Sequence, residues 1–481
     1  MLKKLLSLAL LLCVLAPVWG KTVVLYHTSD AHGFFYPQKG IGGYAALAAL
    51  TGQEKDPHLL LDSGDFANGT AETKKTKGFA AVELMNVVGY NAATVGNHEF
   101  DFRDEGLAPL LKKANFAVLA ANLREQKTDK LPSWAKAYEV FDVGGTKVAV
   151  IGLANRHPTQ DTKEYYFTKP LFALESALAQ LEKEQPSLVA VLVHDSLVDY
   201  KNGILPYMGD IAQKYGDKVH VVLGGHAHKI FQNEFINGVL YAESGYHLTN
   251  VTKVTADIDD KTGKVRKISS QLIALDVEKT GSDKTVEQLA DSFKEVALEE
   301  IIGQAGADLS KFPVAKNEKD SPLDDWISDL GRQYTKTDIF IHNTGGTRIS
   351  LEKGPVTKRM LIDLFPFEDK MVTMEVSGLT LKNFIRAGLV PWNKYVYSGL
   401  QISYALTKKG RVKNLEVLLN GKAIENHKMY RVGTNSYVAK QKVFKKSEKQ
   451  SSGEKSVRQL VAKSFATGPV FPPKTGRIIL K

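Results

Sequence analysis

The sequence predicts a layered α/β protein of two or three domains. Short apolar runs recur at residues 22–26, 59–61, 148–151, 188–193 and 219–223, each of a length suited to a buried strand. Helical patterns lie between several of them, and strands alternating with helices build sheets covered by helices. At 481 residues the chain also exceeds one ordinary core, given roughly 100–200 residues per domain. A hydrophobic fraction of 43% and a charged fraction of 24% match average globular proteins, which excludes a disordered or fibrous chain.

In chain order, residues 1–20 read as a secretory signal peptide: Lys3 and Lys4, an apolar run from Leu5 to Leu15, and a small-residue exit near Gly20. The run is short for a bilayer, and no later segment approaches the roughly 20 apolar residues of a spanning helix. The expectation is a secreted protein, periplasmic or extracellular, beginning at Lys21 and free of the membrane once the signal is removed. An uncleaved anchor is the alternative.

The only cysteine, Cys13, lies in that signal, which leaves the mature chain no disulfide, thiolate ligand or thiol nucleophile. The residues before it, Leu10-Leu11-Leu12, argue against lipid attachment. The net charge of +10 includes Lys3 and Lys4, so their removal leaves +8, a modest excess that favours anionic substrates or aids solubility. The lysine-rich stretch at residues 440–449 reads as a solvated loop, and nothing in the chain resembles a basic stripe with interleaved aromatics, so no nucleic-acid partner is expected.

The first domain runs over residues 21–278. The stretch EKTGSDK from Glu278 reads as a turn or linker, and residues 285–302 as an amphipathic helix rich in Ala, Leu and Glu. Residues 279–303 thus connect to a second α/β domain over 304–481, with a helix at 323–334 and strands at 338–342, 371–376, 400–404 and 415–419.

The chemistry collects where strands of the first domain end, as ligand sites do in α/β sheets. After residues 22–26 comes Asp30-Ala31-His32, a carboxylate and an imidazole on one loop. Residues 59–61 lead to Asp62-Ser63-Gly64-Asp65, where Gly64 permits a tight turn and Asp65 is a carboxylate able to bridge two cations. A strand at 92–95 precedes Gly96-Asn97-His98-Glu99-Phe100-Asp101. His194 follows the run at 188–193, and Gly224-Gly225-His226-Ala227-His228 the run at 219–223. Each motif alone has an ordinary explanation, such as a helix N-cap. Five at equivalent strand ends share a cause. They hold five of the 12 histidines; the other seven, among them His58, His157 and His427, lack such a context.

This ordered set resembles the calcineurin-like metallophosphoesterases, and within them the 5′-nucleotidase family. The resemblance implies a four-layer α/β/β/α sandwich followed by a second α/β domain that binds substrate. By motif it places one divalent ion on Asp30, His32, Asp65 and His228, and a second on Asp65, Asn97, His194 and His226. Two cations about 3.5–4 Å apart lower the pKa of bound water toward 7 and clamp a phosphoryl oxygen. His98 would stabilise or protonate the phosphoryl or leaving oxygen, with Asp101 orienting it. Oxygen and imidazole donors without thiolate suit manganese, zinc, iron or cobalt.

In the second domain the resemblance implicates Asn343, Gly345 and Arg348 of Asn343-Thr344-Gly345-Gly346-Thr347-Arg348, with Phe367 and Phe444 as aromatics that would sandwich a base. The chain departs from the family pattern here. Glu368 stands where a glycine follows Phe367, the segment Val438 to Phe444 lacks the usual glycines, and only Lys316 and Lys319 stand near the place of an arginine ahead of Leu323-Asp324-Asp325-Trp326. The expected substrate is a small-molecule phosphoester, foremost a nucleoside monophosphate. A cyclic nucleotide, a nucleotide sugar, a thiosulfate ester, or an inactive binding or scaffold role are the alternatives.

Overall fold

Alternating side-chain direction along strand Gly20–Thr28 sets the layering of the first domain. Val23 and Leu25 face inward with Leu59, Leu61 and Leu119 against Val148, Val150, Leu188, Leu192 and Leu223. Val24 and Tyr26 face outward against Tyr44, Leu47 and Met85. In the computed structural model, which describes residues 20–197, 206–389, 394–445, 447 and 449–481, this produces two stacked sheets with helices outside. The expected signal segment, with Cys13, lies outside the described residues but for Gly20. No helix among the described residues is long and apolar enough to cross a membrane.

The first six-stranded sheet runs Val265–Ala274, Asn250–Asp259, Gly20–Thr28, His58–Asp62, Ala92–Thr94, Ala117–Leu119. Its last four strands are parallel, and the two at the other edge antiparallel. The second six-stranded sheet runs Ile230–Ile236, Val239–Ser244, Val221–Leu223, Leu188–Val193, Lys147–Leu153, Tyr138–Asp142, parallel in its four central strands. Its outer face packs Ile151, Val191 and Val193 against Leu174, Leu178 and Ile211 of helices Pro170–Leu181 and Pro206–Tyr215. The order helix, sheet, sheet, helix is the four-layer sandwich.

The stretch expected to be one helix over residues 285–302 divides. Asp283 caps helix Lys284–Ser292 by accepting from Thr285 N and Val286 N. A 3₁₀ turn, Val296–Glu299, follows, and then strand Ile301–Ala305, which pairs with Gly354–Thr357. The β-branched Ile301 pairs with Thr357 of that strand, Ile302 lies at a register shift before Gly303, and tertiary pairing overrides the helical period.

The C-terminal unit holds a five-stranded sheet, Tyr395–Ser398, Ile339–Asn343, Met429–Asn435, Lys370–Ser377, Lys449–Ser456, and a four-stranded one, Lys422–Ala423, Val412–Leu419, Leu400–Leu406, Ile478–Leu480. Helix Pro322–Thr335 starts with Ser321 as cap and Pro322 in the first turn.

The two units meet through helix Lys358–Leu364. Arg359 pairs with Glu72 of the first unit, reaches Glu299 Oε1 at 2.7 Å and donates to Glu295 O at 3.2 Å. Asp363 accepts from Ala71 N at 3.3 Å. Burial and the charge of Glu72 raise the Asp363 carboxyl to about 7. Arg359→Ala would leave Glu72, whose side chain is 3% exposed, as a buried carboxylate without its cation. Stability is expected to fall by about 3 kcal/mol, read as a lower urea midpoint.

Candidate metal centre

Asp30, Asp65, Asn97, His194 and His226 all follow the C-terminal ends of parallel strands: Gly20–Thr28, His58–Asp62, Ala92–Thr94, Leu188–Val193 and Val221–Leu223. Stacking the two sheets brings those loops together. Three donor groups result, each with ligand atoms within 4.8 Å of one another: Asp30, His32 and His228; His32, Asp65 and His98; Asp65, His194 and His226. Asp65 belongs to two of them.

The backbone is bent to achieve this. Asp30, His32, Asp65, His226 and His228 adopt left-handed φ angles of 53°, 47°, 60°, 75° and 55°, a conformation that costs a non-glycine residue free energy and persists at functional sites. Gly64, with φ of 92°, allows the close passage of the third-strand loop: a Cβ there would stand 2.5 Å from Gly96 N.

Hydrogen bonds set the imidazole tautomers. His32 Nδ1 donates to Asn68 O at 2.9 Å and His194 Nδ1 to Ser63 O at 2.6 Å, leaving each Nε2 turned to the centre. A ligand imidazole is oriented in this way by its other nitrogen. His32 Nε2 lies 3.2 Å from His228 Nε2 and 3.8 Å from Asp65 Oδ2. His194 Nε2 is 3.0 Å from Asp65 Oδ2 and 4.0 Å from Asp30 Oδ1. Asp30 Oδ1, Asn97 Oδ1 and His194 Nε2 are buried without a hydrogen-bond partner. Buried polar atoms demand partners, and a divalent cation among oxygen and imidazole donors satisfies these. Burial disfavours the Asp65 carboxylate, yet His194, His98 and His32 outweigh it and hold its pKa well below the usual range. Burial likewise opposes charge on His194, but Asp65 and Asp30 carry it up to about 10. The pair of carboxylates calls for positive charge at this spot.

His98 stands apart. Its Nδ1 donates to Asp101 Oδ2 at 2.7 Å, and Asp101 is fixed by Asn68 Nδ2 at 2.7 Å and by the Thr159 hydroxyl. Burial works against a charged His98, but Asp101 and Asp65 raise its pKa above the ordinary value.

The C-terminal unit reaches the same place. Arg348 Nη2 donates to His32 Nε2 at 2.6 Å and Nη1 to Gly345 O at 3.2 Å. The Phe367 ring stacks on His98, centroids 5.4 Å apart at 23°. Asn343 Oδ1 accepts from Asn435 Nδ2 at 2.6 Å, and space is open around Gly345. His342 Nε2 bonds Thr347 Oγ1 at 2.8 Å, which steadies the turn. Phe444 corrects the expectation of a second stacking aromatic. It is fully buried, its ring 4.7 Å from that of Phe384. In the segment that lacks the glycines, Lys440, Lys442 and Val443 are exposed while Phe444 turns into the core, so Phe444 offers no face to a ligand.

Sequence reasoning missed several residues. Glu99, noted only as a motif carboxylate, accepts from Asp65 N, Phe66 N, Ala67 N and Gly96 N at 3.0, 2.9, 3.1 and 2.7 Å. Burial, with the Asp65 charge, raises it to about 7. His247, among the histidines set aside, donates its backbone N–H to Asp30 O at 2.8 Å and stacks on Phe34. Its position just beyond strand Val239–Ser244 was the available signal. Nothing in the sequence marked Asn68 or Thr159.

Comparison with known proteins gives a consistent result. Residues 23–230 match the model of the calcineurin-like phosphoesterases and residues 301–446 that of the 5'-nucleotidase C-terminal domain. The chain is 28% identical to a 5'-nucleotidase of Vibrio vulnificus, over 87% of this chain and 84% of that one. It is 27% identical to Endonuclease YhcR of Bacillus subtilis over 80% of this chain, and spans only 33% of that longer protein. Its fold is similar to the crystal structure of a 5'-nucleotidase precursor from Thermus thermophilus, with a TM-score of 0.83, 23% identity, and coverage of 95% and 99% of the two chains.

Glu99→Ala would strip four backbone N–H groups of their acceptor. It is expected to lower stability by about 3 kcal/mol and to weaken divalent-metal binding, measured by urea unfolding and metal titration calorimetry.

Proposed function

The chain belongs to the calcineurin-like phosphoesterases that carry a 5'-nucleotidase C-terminal domain, a metal-dependent family, and we propose that this phosphoester hydrolase is a secreted 5′-nucleotidase releasing phosphate from nucleoside 5′-phosphates. The observation that carries the reading is the arrival of Arg348 and Phe367 at the donor cluster, 2.6 Å from His32 and stacked on His98. A guanidinium fork suits a phosphate, and an aromatic face suits a base.

In this reading Asp30, His32, Asp65 and His228 hold one divalent ion, and Asp65, Asn97, His194 and His226 a second. The donors suit manganese, zinc, iron or cobalt. When bound, such cations supply Lewis-acid activation of water and of the phosphoryl oxygen. Arg348 orients the substrate phosphoryl group over the donor cluster. His98, held by Asp101 through Nδ1, presents Nε2 as the proton donor to the departing ester oxygen. Phe367 covers His98 and shields that proton from bulk water. With Phe444 in the core, recognition of the base falls to Phe367 on one side.

The test is product release from AMP, UDP-glucose, 2′,3′-cyclic AMP and bis(p-nitrophenyl) phosphate, with added manganese or zinc and with chelator. Turnover is expected to be highest on AMP and abolished by chelator; chelator-insensitive turnover would refute the metal mechanism. His98→Ala is expected to lower kcat by about 10²–10⁴-fold.

A pH profile checks the dyad. Asp101 raises the His98 pKa, so the acid form persists to higher pH than in a free imidazole, and kcat falls as pH climbs through that raised value. In Asp101→Asn the support is gone, and the falling limb is expected at lower pH.

A further inference from the structure

Tyr246 lies against the metal centre from a loop that the reading above leaves unused. The loop follows strand Val239–Ser244 and turns sharply. His247 and Leu248 adopt left-handed φ angles of 56° and 53°, which cost bulky side chains free energy and persist only where surrounding contacts enforce them. Those contacts are present. His247 N donates to Asp30 O at 2.8 Å, Thr249 N to Tyr246 O at 3.2 Å and Leu275 N to Thr249 O at 3.0 Å, while Leu248 is buried in the core. The turn is fastened to the backbone of a ligand residue, and two of its rings return toward the donors.

These rings meet the imidazoles assigned to the first ion. Tyr246 stacks on His228, with centroids 4.7 Å apart at 18°. His247 stands edge-on to Tyr246 at 4.6 Å and edge-on to His32 at 5.9 Å, and it stacks on Phe34 at 3.5 Å. His226, assigned to the second ion, meets His194 edge-on at 5.2 Å and has no stacked ring among the described residues.

His228 is the ligand that needs such a neighbour. His32 and His194 are almost fully buried and oriented through Nδ1 by backbone carbonyls. The His228 side chain is 22% exposed, its Nε2 faces Asp30 Oδ1 at 3.4 Å and His32 Nε2 at 3.2 Å, and its Nδ1 makes no hydrogen bond among the described residues. An imidazole held at one nitrogen keeps freedom about its ring torsion, and ordering it when an ion binds costs affinity. A flat ring stacked on it restricts that torsion. The Tyr246 hydroxyl makes no hydrogen bond among the described residues, so the contact belongs to the ring.

We propose that Tyr246 is a positioning residue whose ring, stacked on His228, holds that imidazole in its ligand pose and thereby sets the affinity of the first ion but not of the second. The inference rests on the two-ion reading above.

The experiment titrates the metal-free full chain with cobalt, followed by calorimetry and by the visible absorption of the bound ion, in wild type, Tyr246→Leu and Tyr246→Phe. His228→Ala marks the binding step that belongs to the first ion. Tyr246→Leu is expected to weaken that step about tenfold and to change its absorption band, while the other step stays within about threefold. Tyr246→Phe is expected to restore both the affinity and the band. Thermal melting of the metal-free proteins checks folding. Tyr246 is only partly buried, and Tyr246→Met carries the same test should the leucine variant not fold. A folded Tyr246→Leu protein that binds both ions like wild type, or that weakens both steps alike, overturns the positioning role. So does a folded Tyr246→Phe protein that binds as weakly as Tyr246→Leu. If wild type binds cobalt in no step that His228→Ala alters, the two-ion reading itself fails and the inference falls with it.

Discussion

Glu99 gathers backbone N–H groups from two loops at once, three from the turn after strand His58–Asp62 and one from the turn after Ala92–Thr94. Without such an acceptor, buried N–H groups in irregular backbone would have nowhere to go. One carboxylate thus fixes the distance between Asp65 and Asn97, and the left-handed bend at Asp65 becomes tolerable because neighbouring amides are bonded. His98 N completes the link by donating to Asp65 Oδ1 at 2.8 Å. The two loops are thus tied to each other by hydrogen bonds at Glu99 and Asp65.

That arrangement has an electrostatic cost. Asp30 and Asp65 are buried close to one another, and the structure balances them with imidazoles whose other nitrogens are tied to backbone carbonyls. Such a site favours cations by construction. His98 shares in that balance beside Asp65 and is itself held by Asp101 through Nδ1. The same carboxylates draw in Arg348, so the attraction that assembles the metal centre also draws the C-terminal unit onto it.

Contact between the units is therefore part of the site. Arg359 with Glu72, Asp363 with Ala71 N and Lys74 with Glu368 anchor the C-terminal unit at helix Ala71–Thr76, a few residues beyond Asn68. Asn68 in turn bonds both His32 and Asp101. Glu368, which departs from the glycine of the family pattern, serves this contact by pairing with Lys74 and Arg458.

Strand periodicity and the five strand-end motifs were enough to read the α/β class, the layered first domain and the residues Asp30, His32, Asp65, Asn97, His98, Asp101, His194, His226 and His228 that the fold gathers, because both signals are local. The helix expected over residues 285–302 stops at Ser292, and from Ile301 pairing with a strand some fifty residues on decided the conformation. Phe444 failed for the same kind of reason: neighbours in sequence do not reveal that Phe384 fills the space beside it. Thr159 and Asn68 left no legible mark, since each acts through a partner distant in the chain, and only its place just beyond strand Val239–Ser244 pointed to His247. By itself the sequence marked the candidate side chains at the strand ends; the tertiary structure decided which of them meet, because distance in space is set by packing and long-range hydrogen bonds that no local pattern encodes.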